Sequence, residues 1–409
     1  MDKIIRQKTD YYPVELINKV NNLATTKAQK NKYFHIISLM AIKSRREFGV
    51  DTEFMPFAKN YFIEVLGHKY FKTIKPLKEA GIIESDNSYS VDKGICKDHR
   101  LNPKLYHTNT NYEKVVFKYS YPKVWKDANV DKKIGNTESY HKEHIKTLEG
   151  FILDKEHLYN IANEVLQDAY NKPFLNDKRS KQEYINSKRI HLFASIENVC
   201  DPKARYARRN NQNFRLDNNF TNMAKPIRQA IFKANDLISI DLKSSQYSIL
   251  LKILKDDNVT GDDVDRFEEL ILSGQLYEYI RDNSNEPTRN DAKSFMMNVA
   301  FGRHYYITER KKIFAELFPT ISQYLNNWKI RNGYKEVPKC LQRMESDLFI
   351  DRIKTDLCKI GILNTTCHDS IAVKKQDEDQ AVDIMLKHFT DFGLQGKVKN
   401  ESTNEIMTI

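Results

Sequence analysis

The chain has 409 residues, enough for two or three domains, and holds 66 Lys and Arg against 55 Asp and Glu, a net charge of +11. That balance suits a polyanionic partner, nucleic acid first, although a merely basic soluble protein has the same charge. Five scattered cysteines, odd in number and without a CxxC pair, indicate neither a disulfide framework nor a zinc ribbon. The opening MDKIIRQKTDYYPVEL lacks the apolar core of a signal peptide, and no run of about 18 apolar residues can span a bilayer, so a cytoplasmic protein with reduced thiols and no membrane partner is expected.

Charge and periodicity divide the chain into residues 1–122, 123–209 and 210–409, without an internal repeat. In the first part NKYFHIISLMAIKSRREFG and EFMPFAKNYFIEVLG have helical spacing. A basic helix from His68 to Glu79 then ends at Gly81, Ile82-Ile83-Glu84 reads as a strand, and Asp86-Asn87-Ser88 turns into Tyr89-Ser90-Val91. A helix followed by a hairpin resembles a winged helix, which would bind a DNA duplex. Lys69, Lys72, Lys75 and Lys78 drift slowly round one helix face, where they can meet phosphates; a solvated lysine face has the same pattern.

Residues 123–209 are lysine-rich and helical by pattern, as a linker or thumb-like region would be, and end in KARYARRNNQNFR. There Lys203, Arg205, Arg208, Arg209 and Arg215 alternate with Tyr206 and Phe214, which suits a nucleic-acid strand because cations meet phosphates while rings stack on bases; a solvated basic turn is the plainer alternative.

The third part contains three elements. Apolar residues of ISIDLKSSQYSILLKIL lead into Asp241 as a strand would, and helical spacing begins at Ser244. In EPTRNDAKSFMMNVAFGRHYY, Pro287 and Thr288 mark a helix start; Arg289, Lys293, Met297 and Phe301 then fall four apart along one face, before Gly302. That face offers two cations to a triphosphate and an apolar platform to a base, or is an ordinary surface helix. In GILNTTCHDSIAVKK, Ile362 to Cys367 and Ile371 to Val373 flank a tight turn at His368-Asp369-Ser370. Two carboxylates about a metal pair are what phosphoryl transfer needs, and magnesium suits oxygen ligands.

In this order the three elements resemble motifs A, B and C of the superfamily of family A DNA polymerases and phage-type single-subunit RNA polymerases. Asp241 opens motif A, Arg289-x3-Lys293-x3-Met297-x3-Phe301-Gly302 matches motif B, and His368-Asp369 matches motif C. The preceding ARRNNQNFRLDNNFTNMAKPIRQAIF is similar to the segment that grips the primer–template duplex, with Arg215 and Arg228 at its basic positions and Phe214 where a Gly is usual; GQLYEYI and LQRMESDLFIDRIKTDL resemble the linking helices. The resemblance covers residues 205–395 and implies an α+β fold. A right-hand palm, a small antiparallel sheet bearing both aspartates, would carry helical fingers and follow a mostly helical N-terminal region containing the winged-helix-like domain.

The same resemblance implies the roles. Asp241, Asp369 and the Leu242 carbonyl would hold two magnesium ions, with manganese as an alternative. Arg289 and Lys293 would contact the incoming nucleoside triphosphate, Lys293 also protonating the leaving pyrophosphate. Phe301 would pack by the nascent base pair, Gly302 would let the template approach, and His368 would support the primer end.

Gln246 stands where DNA-making relatives have Glu and RNA-making ones Gly, so its bulk favours DNA synthesis. Ser370 and Met297 look more like the RNA polymerases, and a single-subunit RNA polymerase or primase-like enzyme stays open as the alternative. A DNA-binding regulator on an inactive polymerase fold is a third reading, against which intact Asp241, Lys293 and Asp369 argue. No protein partner is indicated.

Overall fold

The computed structural model describes residues 4–48, 51–57, 59–86, 98–107, 111–121, 137–174, 180–394, 397–400 and 406–408. Contacts group the chain into one unit of Met1–Asp127, Ile152–Tyr206 and Asn222–Ile231, and a second of Ala128–Phe151, Ala207–Thr221 and Phe232–Ile409. The segments expected from charge and periodicity were consecutive; here stretches distant in sequence share a core.

In the first unit β1 (Ile4–Pro13) leads into helices Val14–Leu23 and Lys27–Phe48, and three short strands follow: β2 (Met55–Pro56), β3 (Ile83–Ser85) and β4 (Asp98–Leu101). They form an antiparallel sheet in the order β2-β4-β3, with helices Lys59–Leu66 and Phe71–Glu79 between β2 and β3 in sequence. β5 (Tyr112–Tyr121) then pairs with β1 along its whole length, Ile4 opposite Tyr121 and Pro13 opposite Tyr112. Tyr12, Phe34, Ile37, Tyr106 and Phe117 fill the core of this unit.

The basic helix begins at Phe71, so Lys69 lies in the turn before it. It ends as expected at Gly81, whose φ of +67° suits a residue without a side chain; the N–H of Gly81 reaches Lys78 O and that of Ile82 reaches Leu77 O. The strand expected after it is β3, but its partner is β4, further along the chain; the Asn87-Ser88 turn and Tyr89-Ser90-Val91 lie outside the described residues.

The second unit has a small hairpin of β6 (Ala207–Arg209) and β7 (Leu216–Asn218) and a larger antiparallel sheet. That sheet comprises β8 (Leu237–Leu242), β9 (Asn364–Cys367), β10 (Ser370–Lys374), β11 (Lys397–Asn400) and β12 (Ile406–Thr408) in the order β12-β11-β8-β10-β9. Every side chain of β8 is buried except that of Asp241, which is half-buried. A run this rich in Leu and Ile is expected of a strand covered on both faces, and each buried Ile or Leu stabilises the fold by roughly 1.5–3 kcal/mol relative to exposure.

Between β8 and β9 the chain is helical: Ser245–Asp256, Asp262–Ser273, Leu276–Ser284, Arg289–Phe301, Glu309–Leu317, Pro319–Asn332 and Glu336–Ser346, the last continuing into a wider π-type stretch, Asp347–Lys354. Phe295, Phe349, Leu250 and Ile371 belong to the one core that joins these helices to the sheet. The whole is mixed α+β with small antiparallel sheets, as expected from the sequence. Among the described residues no helix is long and apolar enough to cross a membrane.

Candidate active site

Asp241 is next to last in β8, directly opposite Ser370, the first residue of β10. Asp369 precedes Ser370, and the Leu242 N–H donates to the Asp369 carbonyl at 3.4 Å. The two aspartates, 128 positions apart in sequence, are thereby neighbours at one end of the sheet. Asp369 occupies the two-residue turn between β9 and β10, outside the in-and-out alternation of the strands. His368, the first residue of that turn, has a φ of +60°, a region in which non-glycine residues are strained and which is often retained at functional positions.

A third acid, Glu345, joins them. It is buried on the helix Glu336–Ser346, and its Oε1 accepts a hydrogen bond from Ser245 Oγ at 2.5 Å. Ser245 Oγ also lies 3.3 Å from Asp369 Oδ2 and so connects the two carboxyl groups. Burial first, then the charge of Glu345, pushes the Asp369 carboxyl up to about 6, while Arg215 and His368 pull it down. Burial and a neighbouring carboxylate thus both disfavour the charged form of Asp369, and either a proton or a cation there relieves them.

Arg215 is bound to Glu345, Nε at 3.0 Å and Nη2 at 2.5 Å from Oε2. The resemblance implies a role at the primer–template duplex; in the structure its guanidinium pairs with a buried acid beside Asp369. The preceding Phe214 has a φ of +60°, the backbone region in which the usual Gly of that segment is at ease. Other residues of the basic stretch are also engaged internally. Arg209 makes two bonds to Asp351, at 2.7 and 2.9 Å, over the Tyr140 ring; Arg208 pairs with Asp217 at 3.5 Å; and buried Arg205 donates to Val199 O. Arg228 belongs to the first unit, apart from the residues of this site in the division of the chain.

The helix Arg289–Phe301 starts where Thr288 caps it, its side chain accepting from the Asp291 N–H. Its buried face is Ala292, Phe295, Met296, Val299 and Ala300. Arg289, Lys293 and Met297 are on the other face with half-buried Phe301, and Met297 is 49% exposed, so the apolar half of the stripe is not simply core. Gly302 ends the helix for a local reason: a Cβ there would fall 2.3 Å from the Asn298 carbonyl oxygen. This packing requirement accounts for the glycine without a template strand.

Tyr277, on the helix Leu276–Ser284, connects the three segments. The Arg289 guanidinium lies 5.0 Å and the Lys293 ammonium 5.5 Å from its ring centroid. Burial raises the Tyr277 phenol; a hydrogen bond with Ser244 and the charge of Arg289 lower it, and the carboxylates of Asp369 and Asp241 raise it. The Arg289 Nε donates to Glu278 Oε1 at 2.7 Å, which fixes the guanidinium over the ring. Gln246 is half-buried in the first turn after β8, and its Oε1 is buried without a hydrogen-bond partner among the described residues.

Glu345 and Tyr277 are the residues that sequence reasoning missed. Glu345 carried one usable signal, an acid one turn after Leu341 on a helix face that is buried at both positions. Among the described residues no three His, Cys, Asp or Glu side chains form a ready-made metal cage. Comparison of the sequence with models of known protein families and with curated proteins gave no match.

Proposed function

We propose that the chain is a template-directed nucleic-acid polymerase, joining nucleotides to the 3′ end of a strand, with Asp241 and Asp369 as its metal-binding carboxylates. The observation that carries this reading is the convergence of three distant segments: two aspartates side by side at a sheet end, and two cations over a tyrosine that senses both carboxylates. A carboxyl raised to about 6 by burial and by Glu345, in the same unit as Arg289 and Lys293 over the Tyr277 ring, supports the same reading.

Magnesium, or manganese in its place, fits the donor set. The groups are all oxygens, they hold excess negative charge, and an ion bound by one or two carboxylates fills its other positions with water and phosphate oxygens. Asp241 and Asp369 would hold it, with the Leu242 carbonyl as a further ligand. Bound there, such ions lower the pKa of the attacking 3′-hydroxyl and neutralise charge on the leaving pyrophosphate. Arg289 and Lys293 meet the triphosphate, and Lys293 supplies its proton to the pyrophosphate. Ser245 and Arg215 hold Glu345, whose charge adds to burial in disfavouring the Asp369 carboxylate, a load that a bound cation would relieve.

In the first unit, the helix Phe71–Glu79 beside the β2-β4-β3 sheet supports a winged-helix module, with Lys69, Lys72 and Lys75 exposed for duplex phosphates.

The bulk of Gln246 favours deoxynucleotides. A second reading, RNA synthesis, is favoured by its buried Oε1, an acceptor to which a ribose 2′-hydroxyl is a suitable donor. Primer extension on a DNA template with magnesium, using dNTPs or NTPs, separates them. Primer-dependent product from dNTPs, with Gln246→Gly admitting ribonucleotides, supports DNA synthesis; unprimed product from NTPs, lost in Gln246→Gly, supports RNA synthesis. No product from either would leave a DNA-binding regulator on an inactive fold.

A further inference from the structure

A second concentration of charge lies away from the aspartates, in the helical region of the same unit. A cavity of about 190 Å³ opens where the end of the helix Arg289–Phe301 meets the helices Glu309–Leu317 and Pro319–Asn332. Its wall includes His304, Lys311, Lys312 and Lys329, with Ser322 and Asn326 as further hydrogen-bonding groups, and none of its lining residues is acidic.

Lys329 is the informative member. It is only 1% exposed and donates to the Val299 carbonyl at 2.5 Å. Val299 is in the last turn of its helix, so the bond satisfies a carbonyl that has no partner within the helix. That role requires one N–H, and an ammonium has three. Lys311 uses two, on the carbonyls of Arg303 and Tyr306. His304 Nδ1 is buried without a hydrogen-bond partner among the described residues. Lys312 is the rim residue, pairing with Glu309 at 3.3 Å in an exposed position. Burial, then the neighbouring charge of Lys311, holds the Lys329 ammonium down to about 8, and burial lowers Lys311 as well. Several cations therefore face one small space with donors to spare and no counter-charge in its wall.

We propose that this cavity binds a phosphate group. Phosphate has the charge, the number of acceptors and the compactness that such a wall requires. The space is smaller than the roughly 300–1,000 Å³ of pockets that enclose a whole drug-sized ligand, so the remainder of a larger molecule stays outside. Beside the cavity, on the chain between the helices Arg289–Phe301 and Glu309–Leu317, the rings of Tyr305 and Tyr306 are 59% and 63% exposed, with the Arg303 guanidinium 5.8 Å from the Tyr305 ring. Exposed rings beside a phosphate pocket suit a nucleotide, either free or within a single strand, because a base stacks on a ring while its phosphate is held. The site is independent of the polymerase reading, since none of its residues belongs to the aspartate cluster.

The test uses the full chain. Inorganic phosphate, titrated at constant ionic strength against chloride, should raise the thermal unfolding midpoint saturably. Lys312→Ala should weaken phosphate binding at least about fivefold and leave the phosphate-free midpoint where it was, since its ion pair is exposed. Lys329→Met should abolish the phosphate effect; should that variant fail to fold, Lys312→Ala decides alone. Competition then identifies the source: displacement of phosphate by a single-stranded oligonucleotide assigns the site to a strand, and displacement only by a nucleoside triphosphate assigns it to free nucleotide. Chloride acting as well as phosphate, or a phosphate affinity unchanged in Lys312→Ala, overturns the proposal.

Discussion

Asp369→Asn should stabilise the fold and silence synthesis, because the wild-type carboxylate is held against its electrostatic preference. Burial and Glu345 raise the Asp369 pKa from 3.8 to about 6. At 1.36 kcal/mol per pH unit, its ionisation costs the folded chain about 3 kcal/mol at neutral pH. Between these two values the folded state binds the proton more tightly than the unfolded chain does. The favourable contribution of the protonated form is therefore complete below 3.8 and is lost as pH rises through about 6. Asparagine has the same shape and cannot ionise. Urea unfolding followed by circular dichroism should accordingly show variant and wild type converging as pH falls below about 4, with the variant ahead by up to about 3 kcal/mol at pH 7. Magnesium should raise the wild-type midpoint at neutral pH, less so below about pH 6, and should not raise that of the variant. Equal stabilities at pH 7 would refute the claim that Glu345 and burial load this carboxylate.

Two other predictions address recognition. Each cation–ring contact at Tyr277 contributes roughly 0.5–1 kcal/mol, so Tyr277→Ala should raise the nucleotide KM about 5- to 30-fold while Tyr277→Phe, which retains the ring, stays near wild type; steady-state kinetics that rank the two alike would remove the ring from the site. Replacing Lys69, Lys72 and Lys75 together by Ala should flatten the salt dependence of duplex binding by up to about 2.7 in log–log slope, at roughly 0.9 per phosphate contact, and an unchanged slope would return these exposed lysines to a solvated face.

The parts of the fold legible in the sequence were those fixed by local chemistry. Thr288 starts its helix, Gly81 ends another, and His368-Asp369 forms the turn between two short strands, because capping, positive φ and turn closure depend on residues close in sequence. The turn residues after β3 suggest an immediate hairpin, whereas β3 pairs with β4 across a longer connection, whose register is set by contacts beyond it. The arginines near residue 209 illustrate the same limit. Their density suggested a polyanionic ligand, yet Arg209 and Arg215 are satisfied by Asp351 and Glu345, each more than 100 positions away. Glu345 and Tyr277 became members of the site only when helices packed against the sheet; the spacing of Glu345 from Leu341 marks a helix face but not the aspartate it meets.

The most direct test of the central claim is synthesis by Asp241→Ala measured beside its binding to a primer–template duplex. Asp241 is the one half-buried side chain of an otherwise buried strand, so its removal should leave the sheet intact. Loss of extension by at least about a thousandfold, with duplex affinity within about twofold of wild type, is the result expected of a metal-binding carboxylate. Full extension by the folded variant would contradict it.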